Sequence, residues 1–239
     1  MEIIIKESYN RPFEFIPKTI LWIIKQRDLD INNDNLIGIN SSIILSLTSL
    51  IESFNKELMI SWVKFHLSES KTEFDIDSDG MPIWDDTMGD YLLERLSDEL
   101  ILEIESSEWN KQLKLFTKIT NDELKRIIKK DTLIGMNQLF NYRNILTHGN
   151  KLSLIEWINN NKTTERLEPN KFEAIFSFLK QQNLIEGKLK DIKANIFELT
   201  FSNNVIDYFI SIINLYLEEV KESFGITEKM NKTIYNLKI

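Results

Sequence analysis

Between residues 41 and 67 the apolar side chains Ile43, Leu47, Leu50, Phe54, Leu58, Trp62 and Phe65 recur at steps of three and four. That period lines them along one side of a long amphipathic helix. Its other side carries Ser42, Ser46, Ser49 and Ser53, small polar residues suited to solvent. A second helix is predicted from about Asp86 or Thr87, running through Leu92, Leu96, Leu100 and Ile104 toward Trp109 and Phe116. Thr120 and Glu123 have the spacing of a capping box, in which hydroxyl and carboxylate satisfy free amides, so another helix is expected from about residue 121. Asp131 reads as an N-cap that restarts it. Leu133, Met136 and Phe140 continue the pattern to His148, where Gly149 and Asn150 supply a stop. Two further helical patterns cover 171–184 and 203–224. The prediction is an all-α fold, an antiparallel helical bundle without internal repeats.

Two segments depart from this pattern. Residues 1–39 hold an apolar run, Ile3 to Ile5, and a predicted helix from Pro17 to about Arg27, with Pro17 suited to a first turn. The Asn- and Asp-rich stretch 28–35 reads as a loop. It divides an N-terminal appendage, 1–39, from a helical domain, 40–239. Around 73–84, Phe74 and Ile76 can face Met81 and Ile83 across Ser78-Asp79-Gly80, a small β-hairpin. The same stretch fits the start of a calcium loop, with Asp75, Asp77, Asp79 and Gly80, and Asp86 at the twelfth position. Pro82 at the eighth position and the short Asp at the twelfth weigh against that, and the expectation is a hairpin or acidic loop without tight calcium binding.

Composition narrows the function classes. The 239 residues are 42% hydrophobic and 28% charged, an ordinary globular profile able to bury a sizeable core. No uninterrupted apolar run approaches the roughly 20 residues of a membrane span, and the N-terminus lacks a signal-peptide pattern. The expected location is cytoplasmic, with no membrane partner. The absence of cysteine excludes disulfides and thiolate chemistry, and two histidines, His66 and His148, argue against a multi-histidine metal centre. His66 reads as a structural residue near the end of its helix. A net charge of −8 argues against coating nucleic acid non-specifically, although a small local basic site stays open.

The residues that carry chemistry are Arg143-Asn144-Ile145-Leu146-Thr147-His148-Gly149, at a predicted helix C-terminus. Asn144 and His148 are four apart and share a face, so the amide can orient the imidazole. Arg143 lies about 140° around the axis and ~7.5 Å along it from His148, a gap only a long side chain can close. Imidazole suits general acid and base work near neutrality, and guanidinium clamps phosphate in bidentate fashion. Together they make a phosphodiester-cleaving set that calls for no metal and no cofactor. The structural alternative is a helix end whose side chains satisfy its own carbonyls.

The motif resembles that of the HEPN superfamily, whose members carry Arg, four to six residues, then His, often with a polar residue after the Arg. The resemblance covers about residues 41–224 and rests on this one motif in a helical context. It implies a compact bundle, a homodimer and a metal-independent endoribonuclease of toxin–antitoxin or antiviral defence type. By position, Arg143, Asn144 and His148 are the implied catalytic residues, RNA the substrate, and an antitoxin or defence component a further partner. Some members have a Tyr two residues after the His, the target of a modifying antitoxin, and this chain has Asn150 there. The alternative function is a non-catalytic helical dimerisation or nucleotide-binding module that regulates a partner protein.

Overall fold

The computed structural model describes residues 12–29, 35–70, 87–120, 123–148, 153–159, 162–168, 170–187, 196–226, 237 and 239. They form helices α1 (Pro12–Leu29), α2 (Leu36–Ser70), α3 (Thr87–Glu105), α4 (Trp109–Thr120), α5 (Leu124–Ile127), α6 (Lys130–Thr147), α7 (Asn170–Gln181), α8 (Ile196–Thr200) and α9 (Asn203–Ser223). Strands β1 (Ser153–Asn159) and β2 (Lys162–Glu168) pair antiparallel, with Trp157 opposite Thr164 and Leu154 opposite Leu167. The protein is mostly helical, as the periodicity predicts, and adds a hairpin where no strand was expected. The hairpin and calcium-like loop expected at 73–86 lie outside the described residues.

Residues 1–51, 129–218 and 238–239 form one compact unit, and residues 52–128 and 219–237 another. The predicted appendage falls in the first unit, and α1 is fastened there: Ile20 is fully buried, and Arg27 donates to Asp207 and Asp28, each at 2.9 Å. Burial opposes the Arg27 charge, but its hydrogen bonds to Asp207 and Asp28 and the nearness of both carboxylates outweigh it and hold the guanidinium above its ordinary value. The helix also starts earlier than predicted. Pro12 takes the first-turn position that suits a residue without an N–H, and Pro17 is internal.

Within the first unit, the core contains Leu47 of α2, Leu139 and Tyr142 of α6, Phe172 of α7 and Phe209 of α9. Asn40 crosses this apolar region to donate to the Phe201 carbonyl at 2.6 Å and to Asn203 at 3.1 Å. Such a bond between distant segments fixes register, because leaving a buried amide unpaired is costly. The serine side of α2 behaves as expected at two positions, where Ser42 and Ser49 are exposed and return their hydroxyls to the Gly38 and Leu45 carbonyls. Helix α7 ends with Asn183 in the left-handed region at φ 57°, and Leu184 N–H reaching the Leu179 carbonyl.

Gly135 of α6 is required by close packing. A β-carbon there would stand 3.0 Å from Ile212 Cγ2 on α9. A methyl forces Ile212 to give way, and a branched side chain exceeds what the space allows. Gly135→Val is expected to destabilise the protein by about 1–3 kcal/mol, read from the urea midpoint. An unchanged midpoint would show that the contact yields freely.

Within the second unit, Asn55 of α2 donates to Gln112 Oε1 of α4 at 3.0 Å, while Gln112 donates to the Glu52 carbonyl at 3.1 Å. Phe116 and Phe224 meet edge-on with ring centres 5.2 Å apart. The helix predicted from residue 86 toward Phe116 is broken after Glu105. Ser107 turns its hydroxyl onto the Ile104 carbonyl at 2.6 Å, competing with continued helical bonding. Glu52 Oε1 then receives the Trp109 N–H, 3.3 Å away, at the start of α4. The capping-box reading is also corrected. Thr120 closes α4, and the next helix has only four residues, begins after Glu123 and lacks a side-chain cap bond there. Extended Ile128 ends it, and α6 starts at Lys130, with Asp131 in its first turn rather than at its cap.

Averaging also alters the hydropathy picture of α2. Leu36–His66 is long and apolar enough to cross a membrane by length and composition. The same stretch carries Asn40 and Asn55, both fully buried and bonded within the fold.

Candidate functional site

Helix α6 buries Thr132, Gly135, Met136, Leu139, Phe140, Tyr142 and Ile145. Steps of three and four assign this face to the core. Tyr142 is its deepest anchor near the C-terminal end. Its ring meets Phe201 and Phe209 edge-on at 5.4 and 5.5 Å, and its hydroxyl donates to the Thr200 carbonyl at 2.7 Å. Burial pushes the Tyr142 hydroxyl well above the usual phenol range, so it remains a hydrogen-bond donor.

The neighbouring positions face outward. Arg143 and Asn144 are half-buried and His148 is exposed. His148 is the C-cap, at φ −89° and ψ 4°, and its backbone N–H donates to the Asn144 carbonyl at 3.2 Å. Thr147 Oγ1 donates to the Arg143 carbonyl at 2.9 Å. A hydroxyl and a backbone amide therefore close these two carbonyls, which bears directly on the helix-end alternative. The imidazole is not used for either.

The three predicted residues are thus placed on one helix end by the described backbone. The expected coupling of the Asn144 amide to the imidazole is not seen: among the described residues no side-chain hydrogen bond joins Asn144 to His148, and their link is the backbone bond. The sequence reading missed Thr147. The signal was available, since a Thr in a last turn commonly returns its hydroxyl to the carbonyl four residues earlier. It also missed Tyr142 as the anchor, because an aromatic at helical spacing does not reveal which carbonyl its hydroxyl will find.

The other histidine lies elsewhere. His66 is exposed near the end of α2, its ring 4.1 Å from that of Trp62 one turn back. This is a local ring pair, matching the structural reading of that residue.

No family model, curated protein or solved structure matches this chain.

Proposed function

We propose that this protein is a metal-independent endoribonuclease of the HEPN type, acting as a toxin or antiviral defence component. The supporting observation is the segment from Arg143 to His148 at the end of α6, where His148 is exposed and its imidazole is not used in closing the helix. His148 removes the proton from a ribose 2′-hydroxyl, or returns one to the leaving 5′-oxygen. Arg143 holds the phosphate and its developing charge, and Asn144 orients the substrate.

This chemistry predicts cleavage that persists in chelator and leaves a 2′,3′-cyclic phosphate and a 5′-hydroxyl. The nucleophile is internal to the RNA, and imidazole and guanidinium supply proton transfer and charge neutralisation. Mass spectrometry of the fragments reads the outcome. A strict magnesium requirement with 3′-hydroxyl ends would point instead to a two-metal carboxylate site.

The working unit we propose is a two-fold homodimer with both motifs on a shared groove. One imidazole cannot conveniently take one proton and give another in the same step, whereas two copies divide the roles. Adding excess His148→Ala chains to the wild type is expected to suppress its activity, because each mixed dimer holds a single imidazole, with light scattering reporting a dimer. A fully active monomer would remove the shared site.

A non-catalytic interaction module is the second reading. It is favoured by α1, which exposes Phe15, Leu21, Trp22 and Leu29, with Trp22 at 63% and Leu29 at 65% exposure. Phe15, Trp22 and Leu29 repeat at sevens and share one side of the helix, an exposed apolar row that fits an interaction face better than a solvated one. Purified protein that leaves RNA intact while binding a partner through α1 would favour that reading.

A further inference from the structure

Residues 109–130 contain seven Lys and Arg against two acids, a local charge of +5 in a chain whose net charge is −8. Helix α4, WNKQLKLFTKIT, supplies Lys111, Lys114 and Lys118 and no acidic residue. Their spacing of three and four places them along one stripe about 10.5 Å long. All three are exposed, while Trp109, Gln112, Leu115 and Phe116 of the same helix are buried. The buried set fixes the rotation of α4 and thereby presents the lysines together.

Glu103 of α3 organises this stripe. One carboxylate oxygen lies 3.0 Å from Lys118 Nζ and the other 3.7 Å from Lys111 Nζ. A single negative charge shared by two ammonium groups cannot neutralise both. With Lys114 the stripe keeps a net charge of +2, and Arg126 of α5 is a further exposed cation nearby in sequence.

We infer that the Lys111, Lys114 and Lys118 stripe of α4 docks the phosphate backbone of single-stranded RNA, separately from the cleavage residues of α6. A row of point charges suits the repeated phosphates of a polynucleotide, and Lys binds phosphate without demanding a fixed geometry. An anionic membrane fits less well, because Trp109, Leu115 and Phe116 of α4 are buried, Leu113 and Ile119 are half-buried, and no large apolar residue of this helix is exposed to insert among lipids. RNA, rather than DNA, rests on the proposed cleavage function. The backbone contact itself does not.

The test measures fluorescence anisotropy of a labelled 2′-O-methyl RNA with the full chain. This probe cannot be cut through its 2′ position, so binding is read independently of the proposed nuclease activity. Lys111→Gln/Lys114→Gln/Lys118→Gln is expected to weaken binding tenfold or more at low salt and to reduce the slope of log affinity against log salt by about 2. Glu103→Gln is expected to tighten binding, because it removes the negative charge from the stripe. Circular dichroism checks the triple variant, and the single exposed change Lys114→Gln, expected to reduce the slope by about 0.7, serves if the triple is unfolded. Unchanged affinity and slope in a folded variant, absence of RNA binding by the native protein, or equal binding to polyglutamate or phosphatidylserine vesicles would overturn the proposal. If RNA is not cleaved but the lysine changes still weaken binding as stated, the cleavage reading fails and the docking stripe stands.

Discussion

Replacing His148 with alanine is expected to lower the rate of RNA cleavage by about 10²–10⁴-fold, the usual contribution of a positioned acid or base. The same change is expected to leave the urea midpoint nearly untouched. Both follow from its position: the side chain is exposed, and the bond that closes the helix is donated by the residue's backbone amide, which alanine also has. His148→Gln retains polar reach without the same proton chemistry and should remain inactive. The decisive comparison is cleavage rate against stability for these two variants. Retention of full cleavage by folded His148→Ala protein would exclude this residue as the acid or base. A parallel loss of activity and stability would show instead that it has a structural task.

Tyr142 should give the opposite pattern. Tyr142→Ala removes a fully enclosed ring from between Phe201 and Phe209 and leaves a cavity, at an expected cost of about 3–5 kcal/mol. Tyr142→Phe keeps the ring but leaves the Thr200 carbonyl without its donor, at about 1–2 kcal/mol. The latter variant also carries a pH signature. The folded-state pKa of Tyr142 is raised, so its stabilisation is fully present below the unfolded value near 10 and is lost as pH rises toward the folded value. Above about pH 10 the unfolded chain releases a proton that the folded chain retains, and the wild type loses about 1.4 kcal/mol per pH unit from this group. Its advantage over Tyr142→Phe should shrink accordingly in urea titrations between pH 9 and 11. A constant difference between the two proteins would place the hydroxyl in a more solvated setting.

The elements most legible in the sequence were those with a repeated face. Ile43 through Phe65 announced α2, and the patterns over 171–184 and 203–224 announced α7 and α9, because burying one stripe is what holds such helices in place. Ends were harder to read. Thr120 to Glu123 had capping spacing, yet α4 continued through Thr120, since the spacing states only what a helix start can use. Ser107 interrupted a good apolar pattern through one short hydroxyl bond, a choice made by local geometry and by Glu52 from a distant part of the chain. The hairpin at 153–168 was missed because its apolar residues do not alternate cleanly. Its turn signal, Asn159-Asn160-Asn161 beside Thr163-Thr164, was present but outweighed by the surrounding helical periods.

The candidate site divides in the same manner. Residue types and spacing identified Arg143, Asn144 and His148, and helix geometry placed them on one helix end. The closure of that end by Thr147 and the depth of Tyr142 depended on tertiary context. The lysine stripe was hidden by the net charge of −8, because a whole-chain sum averages away a positive segment.

Arg27 and Asp207 are 180 residues apart in sequence, and Asn40 and the Phe201 carbonyl are 161 apart. At a translation rate of roughly 5–20 residues per second, α1 leaves the peptidyl-transferase centre about 10–40 seconds before the carboxylate that completes its Arg27 pair is made. During that interval the first unit lacks α9, and its earliest helices cannot yet make these long-range bonds. Growth of the chain therefore sets a timetable for folding: the end of α6 is synthesised well before the segment that anchors Tyr142, and its native support arrives only when residues 200–209 emerge from the ribosome.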